Sequence, residues 1–192
     1  MTTLGRTKSA LLVIDVQNQV VDGAFNKEQV ITNINTAVGK ARAAGVPVVW
    51  VQHSDDWMAI GSDDWQIVPQ LTPANGEAKV GKLYRNSFEA TDLENMLAGL
   101  GVGHLYICGA QTNNCVRFTS HGAMERGYDV TLLMDAHTTT DYEFEGKKVS
   151  AEVLVDDLNA SFFRTRLSGR SESRLRPNTC WLMRWFFAKV SL

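Results

Sequence analysis

Tyr106-Ile107-Cys108-Gly109-Ala110-Gln111-Thr112-Asn113-Asn114-Cys115-Val116 passes from an apolar run into a polar turn and on into helix-forming sequence. His104 to Cys108 reads as a strand buried on both faces, and Val116 to Arg126 as the helix that follows it. Gly127 stops that helix, and Asp129 to Met134 reads as the next strand. Strand, polar turn, helix and strand in this order is the unit of a parallel α/β sheet. Cys115 closes the turn at the start of the helix, where free N–H groups and the positive end of the helix dipole favour a thiolate. Two readings stand for it there, a nucleophile or a packing thiol. Cys108, inside the apolar run, reads as structural.

Working outward, the same alternation recurs. Ala10 to Val16 is a continuous apolar run ending in an acid. Asn26 is placed to cap a helix to about Ala44, with Val30, Ile31, Ile34, Ala37, Val38 and Ala41 on one stripe. Val46 to Val51 is a second buried strand. Gln52 to Glu77 carries Gly, Pro, Ser and Asp in clusters and reads as a long loop, a candidate pocket wall. Ala78 to Val80 is a short strand leading to Lys82, and Thr91 caps a helix to about Leu100. The fold class expected is an open, mostly parallel sheet with helices on both faces, a Rossmann-like three-layer sandwich.

At 192 residues the chain suits a single domain with a full-sized core, 1–192. A net charge of −2 gives no reason to expect nucleic acid or a membrane as partner. Three cysteines fit neither a disulfide framework nor a zinc module, so the expected location is a reducing cytoplasm. The run Leu11 to Ile14 is too short for a signal peptide or a span. From Arg164 to Leu192 there are seven Lys or Arg and a single acid, Glu172, so 164–192 is an atypical basic segment. It also holds Trp181, Trp185, Phe186 and Phe187, which read as a terminal element docking on the body or on another subunit, or as the product of an altered reading frame.

Asp15, Lys82 and Cys115 each lie at or just past the carboxyl end of an expected strand, and in an open α/β sheet those ends face one crevice. Their chemistry is complementary: a carboxylate takes the thiol proton and later returns it, and an ammonium steadies both negative groups. Alone, Asp15 is an ordinary strand terminus and Lys82 an ordinary surface lysine. Together with their flanks they carry a signal.

The three segments Leu11-Leu12-Val13-Ile14-Asp15-Val16-Gln17-Asn18, Lys82-Leu83-Tyr84-Arg85-Asn86-Ser87-Phe88-Glu89-Ala90-Thr91-Asp92-Leu93 and Cys108 to Val116, running on through Arg126-Gly127-Tyr128, resemble the isochorismatase-like cysteine hydrolases. The resemblance covers about Ala10 to Asn159 and keeps the family's motif order. It implies Asp15 as general acid/base, Lys82 as its charged partner and Cys115 as nucleophile. It also implies a non-proline cis peptide at Ala110–Gln111, with the N–H groups of Gln111 and Cys115 forming an oxyanion hole.

Within the family a cysteine favours the amidohydrolase branch, hence hydrolysis of a small amide or carbamoyl compound through an acyl-enzyme. The alternatives are a vinyl-ether hydrolase of the isochorismatase type and a non-catalytic relative that binds a small ligand. A metal-binding nicotinamidase carries an Asp-x-His pair with a further His; here the region reads His53-Ser54-Asp55-Asp56-Trp57, so neither a metal nor any other cofactor is expected. Gln17, His53, Trp57, Phe88, Trp65 and Gln111 are candidate crevice-lining residues. The expected partners are a small-molecule substrate and, since the family is usually oligomeric, further copies of the chain.

Overall fold

The apolar runs pair side by side into a five-stranded sheet, in a computed structural model that describes residues 3–164. β1 (Lys8–Ile14) is central, with β2 (Val48–His53) and β3 (Ala78–Lys82) on one side and β4 (Val102–Ala110) and β5 (Asp129–Thr138) on the other. The order is β3-β2-β1-β4-β5, and every pairing is parallel. Along β1, Leu11 and Val13 join one apolar cluster while Ala10, Leu12 and Ile14 join the other, which is why its sequence shows no alternation.

Helices cover both faces. α1 (Lys27–Ala43) buries the expected stripe from Val30 to Ala41 against one face. α2 (Leu93–Gly99), α3 (Arg117–Arg126) and α4 (Ala151–Arg164) cover the other through Leu93, Leu97, Ala123, Leu158 and Phe162. The chain therefore reverses direction across the sheet between β1 and β4, and a crevice opens at their carboxyl ends. No helix among the described residues is long and apolar enough to cross a membrane. The segment read as atypical lies, beyond its first residue, outside the described residues.

Several boundaries differ from expectation for local reasons. β1 stops at Ile14 instead of reaching Val16, because Asp15 adopts a left-handed φ of 49° and turns the chain out of the sheet. Asn26 precedes α1 in the left-handed region (φ 50°) and makes no side-chain cap, so its expected capping role is corrected. β4 continues past Cys108 to Ala110, made possible by Gly109: its φ is +120°, and a Cβ there would stand 2.0 Å from the Ile14 carbonyl oxygen. The sequence pattern gives nothing regular after Met134. There β5 extends to Thr138, an exposed hairpin pairs β6 (Tyr142–Phe144) with β7 (Lys147–Val149), and α4 follows.

Gly109→Ala combines that close approach with a disallowed φ and is expected to lower stability by about 1–3 kcal/mol or more. A Cβ added at Gly39, inside α1, would meet only open space, so Gly39→Ala is expected to raise stability by about 0.5–1 kcal/mol. Urea unfolding midpoints of the two variants measure both signs.

Candidate active site

Asp15, Lys82 and Cys115 arrive from three elements and meet. Lys82 is the last residue of β3, two strands away from β1, and its long side chain reaches past the end of β2 to the crevice. Its Nζ lies 2.7 Å from Asp15 Oδ2 and donates to Cys115 Sγ at 3.2 Å and to the Tyr84 carbonyl at 3.2 Å. Both charged side chains are essentially without solvent contact. Besides the ion pair, the Cys115 thiol hydrogen-bonds to the Asp15 carboxylate, so the carboxylate faces the thiol proton.

Cys115 does not sit in α3 itself. It lies in a single π-helical turn, Thr112–Val116, that leads into α3 and is kinked at Asn114 (φ −116°, ψ −109°). The Ala110–Gln111 bond that precedes the turn is cis.

The expectation of a thiolate favoured by the helix end is corrected. Burial first, and then the neighbouring Asp15 charge, push the Cys115 thiol up to about 12, against the opposing pull of Lys82. Burial also raises the Asp15 carboxyl above its ordinary range, with Lys82 the main opposing influence. A carboxylate, an ammonium and a neutral thiol sum to zero in a buried site; so do a protonated carboxyl, an ammonium and a thiolate, and the rise of the thiol to about 12 favours the first. The site rests as Asp15 carboxylate, Lys82 ammonium and Cys115 thiol.

A buried histidine braces the turn. His137 Nδ1 meets Thr112 Oγ1 at 2.9 Å, and Nε2 meets Asn159 Oδ1 at 2.9 Å, while Asn159 donates to the Met134 carbonyl. Burial depresses His137 to about 4, so the ring stays neutral. With Asn159 Oδ1 accepting from Nε2–H, Nδ1 accepts from the Thr112 hydroxyl. Thr139 adds a second tie, donating to Asn113 Oδ1 at 2.6 Å. From sequence His137 reads as an ordinary surface or partly buried histidine, and the structure corrects this to a fully buried brace; the available signal was a histidine near the end of a buried strand with a hydroxyl in the adjacent turn.

The residues expected to line the crevice scatter. Gln17 is fully buried and its amide is committed: Oε1 accepts from the His53 N–H, and Nε2 donates to the carbonyls of His53 and Trp65. It clasps the long loop to the sheet, and substrate contact is corrected to wall-building. Phe88 is likewise corrected; it packs in the core, 5.7 Å from the Tyr128 ring and under Arg126. Trp57 stands 86% exposed on the loop. His53 remains beside the site, with Nε2 3.2 Å from Asp55 and a buried Nδ1 without a partner among the described residues. Among the described residues no three His, Cys, Asp or Glu side chains group to hold a metal ion.

The model of the isochorismatase domain matches residues 9–156, which contain all three converging side chains. The chain belongs to the isochorismatase family of hydrolases. Among its relatives, a streptothricin hydrolase from Streptomyces noursei is 33% identical over 142 residues, 71% of this chain and 56% of that protein. A ureidoacrylate amidohydrolase from Klebsiella pneumoniae (strain 342) is 30% identical over 176 residues, 70% of this chain and 75% of that protein. In structure the chain is similar to an isochorismatase from Pseudomonas putida KT2440, with a TM-score of 0.76 and 27% identity, covering 81% of this chain and 85% of that one.

A thiol raised to about 12 has a thiolate fraction that grows with each unit of pH until that value. Alkylation of Cys115 by iodoacetamide is therefore expected to keep accelerating above pH 9, about tenfold per unit. Peptide mapping by mass spectrometry checks this, and a plateau at neutral pH would show a preformed thiolate instead.

Proposed function

We propose that this hydrolase cleaves a C–N bond in a small amide or carbamoyl compound through an acyl-enzyme on Cys115. The observation that carries the reading is the Lys82 ammonium held between the Asp15 carboxylate and the Cys115 thiol in a buried crevice. One relative acts, by its name, as an amidohydrolase of ureidoacrylate, which supports a C–N target, and another as a hydrolase of streptothricin.

The thiol transfers its proton to Asp15 as sulfur attacks the carbonyl carbon. The S–C bond forms, and the carbonyl electron pair moves to oxygen. The backbone N–H groups of Gln111 and Cys115 stabilise that oxyanion. Collapse breaks the C–N bond, and the amine leaves with the proton Asp15 had taken. A thioester remains on Cys115. Water then loses a proton to Asp15 and attacks the thioester. The acid product departs, and the thiolate recovers its proton from Asp15. Lys82 stays charged throughout. It steadies Asp15 before attack and the sulfur anion at each departure, a role that a buried site makes larger than the same contact in water.

Ammonia or amine release from a panel of small amides, ureas and carbamoyl amino acids tests the reading. Cys115→Ser is expected to abolish release, and Asp15→Asn to lower turnover by about 10²–10⁴-fold. Asp15→Asn also removes the negative charge that helps raise the thiol, so its Cys115 is expected to alkylate faster at a given pH while turnover falls. Turnover and alkylation falling together in Asp15→Asn would show damage to the site and contradict the general-base role.

A further inference from the structure

A polar cavity of about 600 Å³ opens against the turn that carries Cys115. Gln111, Asn113 and Asn114 of that turn line it, with Arg85 from the loop after β3, Arg117 at the start of α3 and Tyr142 of β6. No Asp or Glu is among its lining residues. Asp157 pairs with Arg117 from α4, and the carboxylate of Asp141, between the lining residues Thr140 and Tyr142, is taken by the Ala151 N–H. The lining itself carries two guanidinium groups and no carboxylate.

The donors there are incompletely used. Arg117 bonds Asp157 through Nη2, while its Nε is buried without a hydrogen-bond partner among the described residues. Arg85 lies over the Phe118 ring, 5.6 Å from its centroid. Such stacking engages the guanidinium face and leaves the in-plane N–H groups available. Asn113 Oδ1 already accepts from Thr139, so the polar group it has left is its NH₂. Gln111 and Asn114 are tied to each other and to the Val20 carbonyl, which holds this wall in place.

Two arginine forks and an amide NH₂ form the donor set that a planar carboxylate accepts. We propose that this cavity is a subsite for a carboxylate on the substrate, which anchors the molecule at a distance from the bond to be cut. Resting on the C–N hydrolase reading, the substrate class becomes small amides or carbamoyl compounds that bear a carboxylate. A remote anion held in this way converts binding energy into orientation of the scissile carbonyl at the sulfur. Asp157 occupies part of the Arg117 fork and so competes with the substrate's own carboxylate.

The test compares alkylation of Cys115 by iodoacetate and by iodoacetamide, which share one electrophilic carbon and differ in carrying a carboxylate or a neutral amide. The ratio of the two rates, read by peptide mapping, is expected to fall about tenfold in Arg117→Gln and in Arg85→Gln, the scale of one charge-assisted hydrogen bond. Asp157→Asn is expected to raise the ratio. Lys27→Gln, which removes one positive charge at the start of α1, is expected to leave it unchanged. A ratio unmoved by both arginine substitutions, or lowered equally by Lys27→Gln, overturns the subsite. Alkylation needs no turnover, so the ratio reports on the subsite even if every amide in a panel is inert. An unmoved ratio alongside Cys115-dependent ammonia release would overturn the subsite and leave the hydrolase standing.

Discussion

Everything in the crevice depends on one ammonium. Lys82 Nζ has the Asp15 carboxylate at 2.7 Å and the Cys115 sulfur at 3.2 Å, with both charged groups out of water. Burying an ionised carboxylate alone is costly by several kcal/mol, and an unpaired one would take up a proton and lose its use as a base. The lysine makes a charged Asp15 tolerable. Burial and the Asp15 charge hold the thiol up at about 12 against the pull of Lys82. In the proposed reaction Cys115 becomes nucleophilic as its proton moves to Asp15.

The scaffold serves that arrangement at two points. At the end of β1, Asp15 takes a left-handed backbone and Gln17 locks the neighbouring loop to His53 and Trp65, so the chain turns away with the carboxylate left inside. At the end of β4, Gly109 lets the strand run close beneath Ile14, and the kinked turn beyond it carries Cys115. Neutral His137 and Thr139 fasten that turn to β5, while Asn159 fastens His137 to α4. Histidine here acts as a strut with a fixed tautomer, since protonation would put a charge in a buried site and destroy its bond from Thr112.

The sheet was legible because its strands are buried on both faces and announce themselves as uninterrupted apolar runs with glycines between them. The convergence of Asp15, Lys82 and Cys115 was legible for a topological reason: strand ends in a parallel sheet share one side. What the sequence hid was set by packing. Gln17 and Phe88 carry side chains suited to a pocket, yet the first is consumed by backbone partners and the second by Tyr128 and the core. The thiol's protonation was misread because a helix-end argument counts dipoles and omits burial and the Asp15 charge. α4 carries Leu158 and Phe162 at helical spacing, a signal that was present but unread; the β6–β7 hairpin is exposed and has no apolar pattern to find. Arg85 and Arg117 lie 32 positions apart, and only the fold brings them to one cavity.

Catalysis through an acyl-enzyme requires that carbon become bonded to the Cys115 sulfur during turnover. Rapid acid quenching of the reacting enzyme, followed by intact-mass and peptide analysis, tests this most directly. An added acyl mass is expected on the peptide bearing Cys115, labile to hydroxylamine as a thioester is, and absent from Cys115→Ser. Turnover that continues in Cys115→Ser, with no adduct on the native enzyme, would contradict it.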